Sequence, residues 1–405
     1  MLFPPQPAPA SAPKTPTRSI LLLAAAGFAA QAQVRVTDSL LPQIAADFRT
    51  SVGVAAMVVT AYAITHGSIQ LVAGPVADRF GKYRTVAIAS VLAAVLVAVC
   101  GTATTLPRLA LARLATGAVA GWIIPISMAY VGDVAPAERL QPILARYASG
   151  YILGQLFGQA AGGILGDLFG WRNVFFALAG MFALAAAGLL FELVADPRTR
   201  ASGRPTAARR SFVADYAEVL SNPFARMIIA VAFIEAALAW GAFAYIGANL
   251  HLKFGISFTL VGISVAFFGI GGLIYAGLVR HLLFRLGQTG LAVIGGVLIT
   301  AAYVLLAVES AWWFAPIAVT MIGLGFYMFH NTLQTNATQM TPQARGTAVG
   351  IFSSALYMGQ TAGVAVGALV IDRFGAGPIF LGTAAGFPVL AVWFAYELRR
   401  SQRRE

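Results

Sequence analysis

The sequence has 405 residues, 59% hydrophobic and 10% charged, with a mean hydropathy of +0.79 and a formal net charge of +12. Soluble domains carry about 25% charged residues, so this composition excludes a water-soluble globular protein and points to an all-α chain that crosses a membrane many times. The single Cys100, set in an apolar run, excludes a disulfide framework and a cysteine metal site.

Residues 1–18 are rich in Pro, Ala, Ser and Thr and read as a disordered tail. The apolar run that follows, with Ala30-Gln31-Ala32, imitates a signal peptide, but helix-forming sequence continues beyond it. A bilayer crossing needs ~20 apolar residues, which divides the chain into twelve spans: 19–41, 52–75, 85–105, 108–131, 144–166, 173–195, 225–248, 257–280, 289–308, 312–337, 346–370 and 377–397. The division into units is then 1–18 (tail), 19–195 (six helices), 196–224 (polar linker with five Arg between 198 and 210), 225–397 (six helices) and 398–405 (basic tail). Twenty of the 27 Lys and Arg fall on the side of the termini and five on the other. The positive-inside rule makes the terminal side cytoplasmic and accounts for the basic charge without a nucleic-acid partner.

The second half repeats the first at an offset of 205 residues. Gly154-Gln155 meets Gly359-Gln360, Gly158 meets Gly363, Gly162 meets Gly367, and Asp167-x-Phe169-Gly170 meets Asp372-x-Phe374-Gly375. Two pseudo-symmetric six-helix halves in parallel register are one repeat architecture of secondary transporters, with the cargo site between the halves near the midplane.

The stretch Gly74-Pro75-Val76-Ala77-Asp78-Arg79-Phe80-Gly81-Lys82-Tyr83-Arg84 reads as a charged loop between two apolar runs. Its pattern, G-x-x-x-D-R-x-G-K-x-R, resembles the cytoplasmic signature loop of the major facilitator superfamily of secondary transporters. The resemblance implies the major facilitator fold and a conformational gate at Gly74, Asp78, Arg79, Gly81, Lys82 and Arg84. In the second-half copy, Phe284-Arg285-Leu286-Gly287-Gln288, the acidic position holds Phe284, so the latch is expected to be one-sided.

A carboxylate inside a membrane helix costs a few kcal/mol unless paired or protonated, which makes Asp38 a proton-site candidate. It lies about four residues from the end of the expected first span, and Arg35 shares its helical face. Thr37-Asp38 followed by Pro42 resembles the first helix of the drug/proton antiporter branch of the superfamily. Arg113, in a stretch similar to the family's R-x-x-x-G-x-x-x-G, is the position that the resemblance associates with proton coupling, and its depth suggests that it meets Asp38. A plain structural salt bridge is the alternative. Gly154, Gly158, Gly162 and Gly163 are similar to the antiporter signature G-x-x-x-G-P-x-x-G-G, with Gln159 in place of its proline, and also read as a close-packing face. Glu235, about ten residues into the seventh span, is a second candidate for protonation, or a hydrogen-bonded structural acid.

Tyr62, His66 and Gln70 recur every four residues on one face. With Gln155, His330, Asn331, Gln334, Tyr357 and Gln360 they are candidates for a mostly apolar cargo cavity, or for hydrogen bonds between helices. The tryptophans read mostly as interface markers. No phosphate-binding loop or metal spacing is present.

The expectation is a monomeric, multi-pass protein of a bacterial inner membrane. It exports small organic or amphipathic molecules by proton antiport, with the proton gradient as energy source and no cofactor. Uptake of a small metabolite by symport or facilitated diffusion is the alternative, and a sensor that moves nothing is a third class.

Overall fold

No water reaches the backbone in the core of a bilayer, so each crossing segment closes its own hydrogen bonds as a helix. The computed structural model describes residues 16–136, 139–200 and 212–402. Among the described residues it has sixteen α-helices and no strand. The first half comprises α1 (Thr17–Asp47), α2 (Val52–Ala55), α3 (Met57–Gln70), α4 (Ala73–Phe80), α5 (Lys82–Gly101), α6 (Leu106–Ala120), α7 (Ile123–Val134), α8 (Leu140–Phe169) and α9 (Trp171–Ala195). The connector holds α10 (Phe212–Ser221). The second half comprises α11 (Pro223–Phe243), α12 (Ile246–Phe254), α13 (Phe258–Val308), α14 (Phe314–Ala337), α15 (Arg345–Phe374) and α16 (Gly377–Gln402).

Ten described stretches are long and apolar enough to cross a membrane. The 51-residue α13 is one of them. Straight, it would run about 76 Å, more than twice the ~30 Å hydrocarbon thickness. It breaks at Gly287, where the backbone is non-helical, and so crosses twice. The 30-residue α8, lowered in hydropathy by its glycines and glutamines, makes the twelfth crossing.

The repeat is written in the backbone. Gly170 and Gly375, the matched ends of α8 and α15, take φ of 80° and 71°. Gly81 and Gly287, in the signature stretch and its copy, take 88° and 61°. Side chains disfavour this left-handed region, so glycine holds all four corners.

Five boundary expectations need correction. Most of the signature stretch is helix α4 rather than loop, and the turn is confined to Gly81. The first tail is helical from Thr17, and the last crossing runs on through 398–402. The connector contains α10, which buries Val219 and donates a hydrogen bond from the Tyr216 hydroxyl to Leu71 O at 2.7 Å. Most consequentially, α1 runs nine residues past Asp38, with Pro42 inside it, so Asp38 is not at a helix end.

At the face opposite the termini, the two halves are locked by matched carboxylates. Asp167, in the last turn of α8, accepts from the backbone N–H (3.2 Å) and hydroxyl (2.7 Å) of Thr259 in the first turn of α13. Asp372, in the last turn of α15, accepts from the Ser51 hydroxyl (2.5 Å) and the Gly53 N–H (2.9 Å) at the start of α2. Each acid thus sits on a helix N-terminus of the other half, where orphan N–H groups and the helix dipole favour negative charge. These are the aspartates of the repeated Asp-x-Phe-Gly. The locks place the structure in a state closed on this far face. Asp167→Asn or Asp372→Asn should each raise the open-to-closed ratio there about fivefold, for a loss of ~1 kcal/mol. Spin labels at Thr102→Cys and Pro378→Cys, both exposed on that face, in a Cys100→Ala background, would read the change as a longer distance.

On the same face Glu309 is 3% exposed. One oxygen accepts from Asn249 Nδ2 at 2.9 Å, the other has no partner, and Lys253 Nζ donates to its backbone carbonyl at 2.7 Å. Burial pushes its carboxyl up from 4.5 to about 7, against the pull of Lys253 and Asn249. The folded state therefore holds this proton more tightly than the unfolded state. Stability should fall as pH rises from 4.5 through about 7. Glu309→Gln should flatten that part of the Tm-versus-pH curve, and an unchanged slope would assign it to another group.

Candidate functional site

The buried polar side chains gather where α1 meets α3, α6, α8 and α11. Asp38 is 1% exposed and Arg35 4%. They share a face one turn apart, and Arg35 Nη1 lies 3.6 Å from Asp38 Oδ2. That is an ion pair but longer than a hydrogen bond. Neither Asp38 oxygen has a hydrogen-bond donor, and Arg35 Nε has no acceptor. Pro42 contributes from the backbone. Lacking an N–H, it cannot bond the carbonyl of residue 38. That carbonyl faces Gly247 of α12 in the other half, where a Cβ would come within 2.9 Å of it.

Arg113 comes near enough to Asp38 for a through-space attraction, but its hydrogen bonds go elsewhere. It is fully buried, and its guanidinium donates from Nε to Val58 O (3.2 Å) and from Nη1 to Gln33 O (3.3 Å), with its carbon 4.2 Å from the Tyr62 ring centroid. Equal depth on two helices does not fix their rotation. Arg113 turns toward backbone carbonyls of α1 and α3, and its Nη2 is left without a partner.

Small residues allow α1 and α8 to close around these charges. A Cβ at Gly154, Gly158 or Gly162 would run into the carbonyl oxygens of Phe28, Ala32 and Val36, while Gly163 packs against Phe258 and Gly262 of α13. Among the cavity candidates, Tyr62 and His66 are buried and stacked at 5.2 Å, and Tyr357 of α15 meets His66 at 4.3 Å. The Tyr62 hydroxyl and His66 Nδ1 have no hydrogen-bond partner. Gln155 accepts from Gln31 Nε2 at 3.3 Å. Gln70 instead ties α3 to α6, donating to Gly121 O at 3.1 Å. Gln334 is exposed, Asn331 faces Tyr275, and Gln360 is buried on α15.

Glu235, fully buried on α11, has a partner that the sequence did not name. His330 Nδ1 lies 3.0 Å from its Oε2. Sequence reasoning also missed Gln33 and Gln159, both fully buried with neither amide atom hydrogen-bonded. For Gln159 the signal was available, since it lies four residues after Gln155 on one helical face in an apolar run. Trp240 is an exception to the reading of most tryptophans as interface markers. It is 7% exposed, and the Arg35 guanidinium of the other half lies over its ring at 3.5 Å.

In the signature stretch, Lys82 pairs with Asp133 of α7, while Arg79 and Arg84 are exposed. The burial of Gly74 and the Asp78 side chain lie outside what is described, so the expected Asp78 latch is not addressed by the structure.

The Major Facilitator Superfamily model matches residues 23–363. The chain belongs to that superfamily. It is 25% identical over 336 residues to the uncharacterized MFS-type transporter YceJ of Bacillus subtilis, covering 81% of this chain and 82% of the relative. It is 25% identical over 286 residues to the multi-drug resistance efflux pump PmrA of Streptococcus pneumoniae, covering 67% and 68%. The solved structure of a point mutant of the nucleoside transporter NupG superposes with a TM-score of 0.78 at 14% identity over 93% of this chain and 98% of that one, a likeness of fold. The superfamily member described here is therefore a secondary transporter, a multi-pass membrane protein that carries small molecules. Removing one partner of a buried pair leaves the other unsatisfied, at a cost of about 1–3 kcal/mol. His330→Leu should accordingly lower Tm, and adding Glu235→Gln should recover part of the loss, as read by thermal unfolding of purified protein.

Proposed function

We propose that the protein exports small organic or amphipathic molecules in exchange for protons, with Asp38 as the proton site. One observation carries the reading. Asp38 is a carboxylate buried between membrane helices, with one cation at 3.6 Å and no hydrogen-bond donor on either oxygen. Such a group exchanges a proton without dismantling a hydrogen-bond network. Arg35 and Arg113 keep its ionised form affordable in a medium that penalises lone charges. Glu235 with His330 forms a second acid site in the other half. The apolar and aromatic surround, including Tyr62, His66, Tyr357 and Trp240, suits amphipathic cargo.

Export is supported by the efflux relative and by the antiporter-like residues of the first, fourth and fifth crossings. The excess of Lys and Arg on the terminal side supports a cytoplasmic location for both termini, in the inner membrane of a bacterium. The two halves then rock about the central site, powered by the proton gradient without a cofactor. Lys82 with Asp133, at the terminal face, belongs to the gate on that side.

A ligand panel screened by thermal shift supplies a cargo, since a compound that binds the folded state raises its stability. In proteoliposomes with an imposed pH gradient, that cargo should move opposite to protons. Asp38→Asn should reduce gradient-driven exchange by more than tenfold while Tm is retained. Full exchange in Asp38→Asn would refute the assignment, and protons moving with cargo would establish symport instead.

A further inference from the structure

Arg35 is held from two sides that belong to different halves. On its own helix, Asp38 Oδ2 lies 3.6 Å from Nη1. Across the interface, the Trp240 ring of α11 lies 3.5 Å from the guanidinium carbon. From Trp240 an unbroken line of rings continues through the second half. Phe326 packs on Trp240 at 4.8 Å, and His330 stacks on Phe326 at 4.8 Å with only 9° between planes. His330 Nδ1 then reaches Glu235 at 3.0 Å. Asp38 and Glu235 are thus the two ends of one packed chain, and the guanidinium–indole contact is its link across the interface.

We propose that Trp240 is a positioning residue that holds the second half against Arg35 and so limits how far protonation of Asp38 opens the interface. The inference rests on Asp38 as the proton site. While Asp38 is ionised, Arg35 is neutralised where it lies, and the closed interface tolerates it. When Asp38 takes a proton, the Coulomb attraction that offsets the guanidinium charge disappears. Arg35 is then a cation held in a dry interface by the indole face alone. Burying an uncompensated charge is costly, so the protonated state favours arrangements that part α1 from α11 and rehydrate Arg35. Opening at the far face, beyond the Asp167 and Asp372 locks, is such an arrangement.

The charged and titratable groups that face this pair are Arg113 from α6, Tyr62 and His66 from α3, Tyr303 from α13, Tyr327 from α14 and Tyr357 from α15. α8 lies against α1 there with Gln155 and Gln159, and α12 with the backbone of Gly247.

The test uses the full chain in nanodiscs, without cargo, carrying spin labels at Thr102→Cys and Pro378→Cys with Cys100→Ala. Distance distributions are recorded across pH, and the part of the response that Asp38→Asn removes is the signal. The unsubstituted background should open at the far face as pH falls. Trp240→Leu keeps an apolar side chain but no ring, so nothing offsets the unpaired guanidinium in the closed interface, and the Asp38-dependent shift in the open-to-closed ratio should grow about tenfold, the scale of a desolvated cation–π contact. Trp240→Phe keeps a ring and should retain an intermediate response, which separates loss of the contact from loss of packing. Equal Asp38-dependent shifts with Trp, Phe and Leu at position 240 would overturn the proposal and leave Asp38 as the proton site. No response to pH in the Trp240 protein, or one that survives Asp38→Asn, would overturn the Asp38 assignment and the proposal with it.

Discussion

A guanidinium and a carboxylate buried three residues apart on α1 set the terms for what packs around them. Neither charge is tolerable in hydrocarbon alone, and even paired they need a surround that keeps lipid out. The close approach of α8 meets that need, and it is available because the contacting residues of α8 are glycines at 154, 158 and 162. Larger residues at those sites would hold the helices apart and leave a gap beside the charges. Arg113 reinforces the same corner by gripping backbone carbonyls of both α1 and α3. The helix that bears the charges is thereby fixed to three neighbours in its own half.

The polar interior is incompletely satisfied, and the pattern of the deficit is informative. Gln33, Asp38, Tyr62, His66, Arg113 and Gln159 each keep at least one buried polar atom without a hydrogen-bond partner. Buried polar groups are ordinarily paired. A concentration of orphans around one corner of the interior is what a site for polar atoms of cargo or water requires. The Glu235–His330 pair in the other half is closed by comparison, since both Glu235 oxygens lie within 3.3 Å of His330 Nδ1.

The fold was legible because hydropathy reports burial in lipid directly, and the positions of Lys and Arg report sidedness. Helix ends were less legible. Pro42 reads as a stop in a soluble helix, yet a membrane helix carries it through, and this displaced Asp38 from the end of α1 to its interior. The pairing of Arg35 with Asp38 was readable because helical geometry fixes it locally. That Arg113 lies near Asp38 was readable from depth, but depth leaves the rotation of α6 free, and its hydrogen bonds go to backbone carbonyls instead. The His330 partner of Glu235 and the place of Trp240 depend on how α11 and α14 dock, which a single sequence does not spell out.

The far-face locks have a geometry that the charge sites lack. Each half offers the other one carboxylate at a helix end and one helix start, so both contacts are made by equivalent patches about a pseudo-twofold axis. This is an isologous interface, the kind by which two identical subunits form a closed dimer. A lone six-helix unit bearing both elements would have the parts needed to close against a copy of itself. Closure is therefore a shared inheritance of the two halves, whereas Asp38 with Arg35 on one side and Glu235 with His330 on the other are where they have gone separate ways.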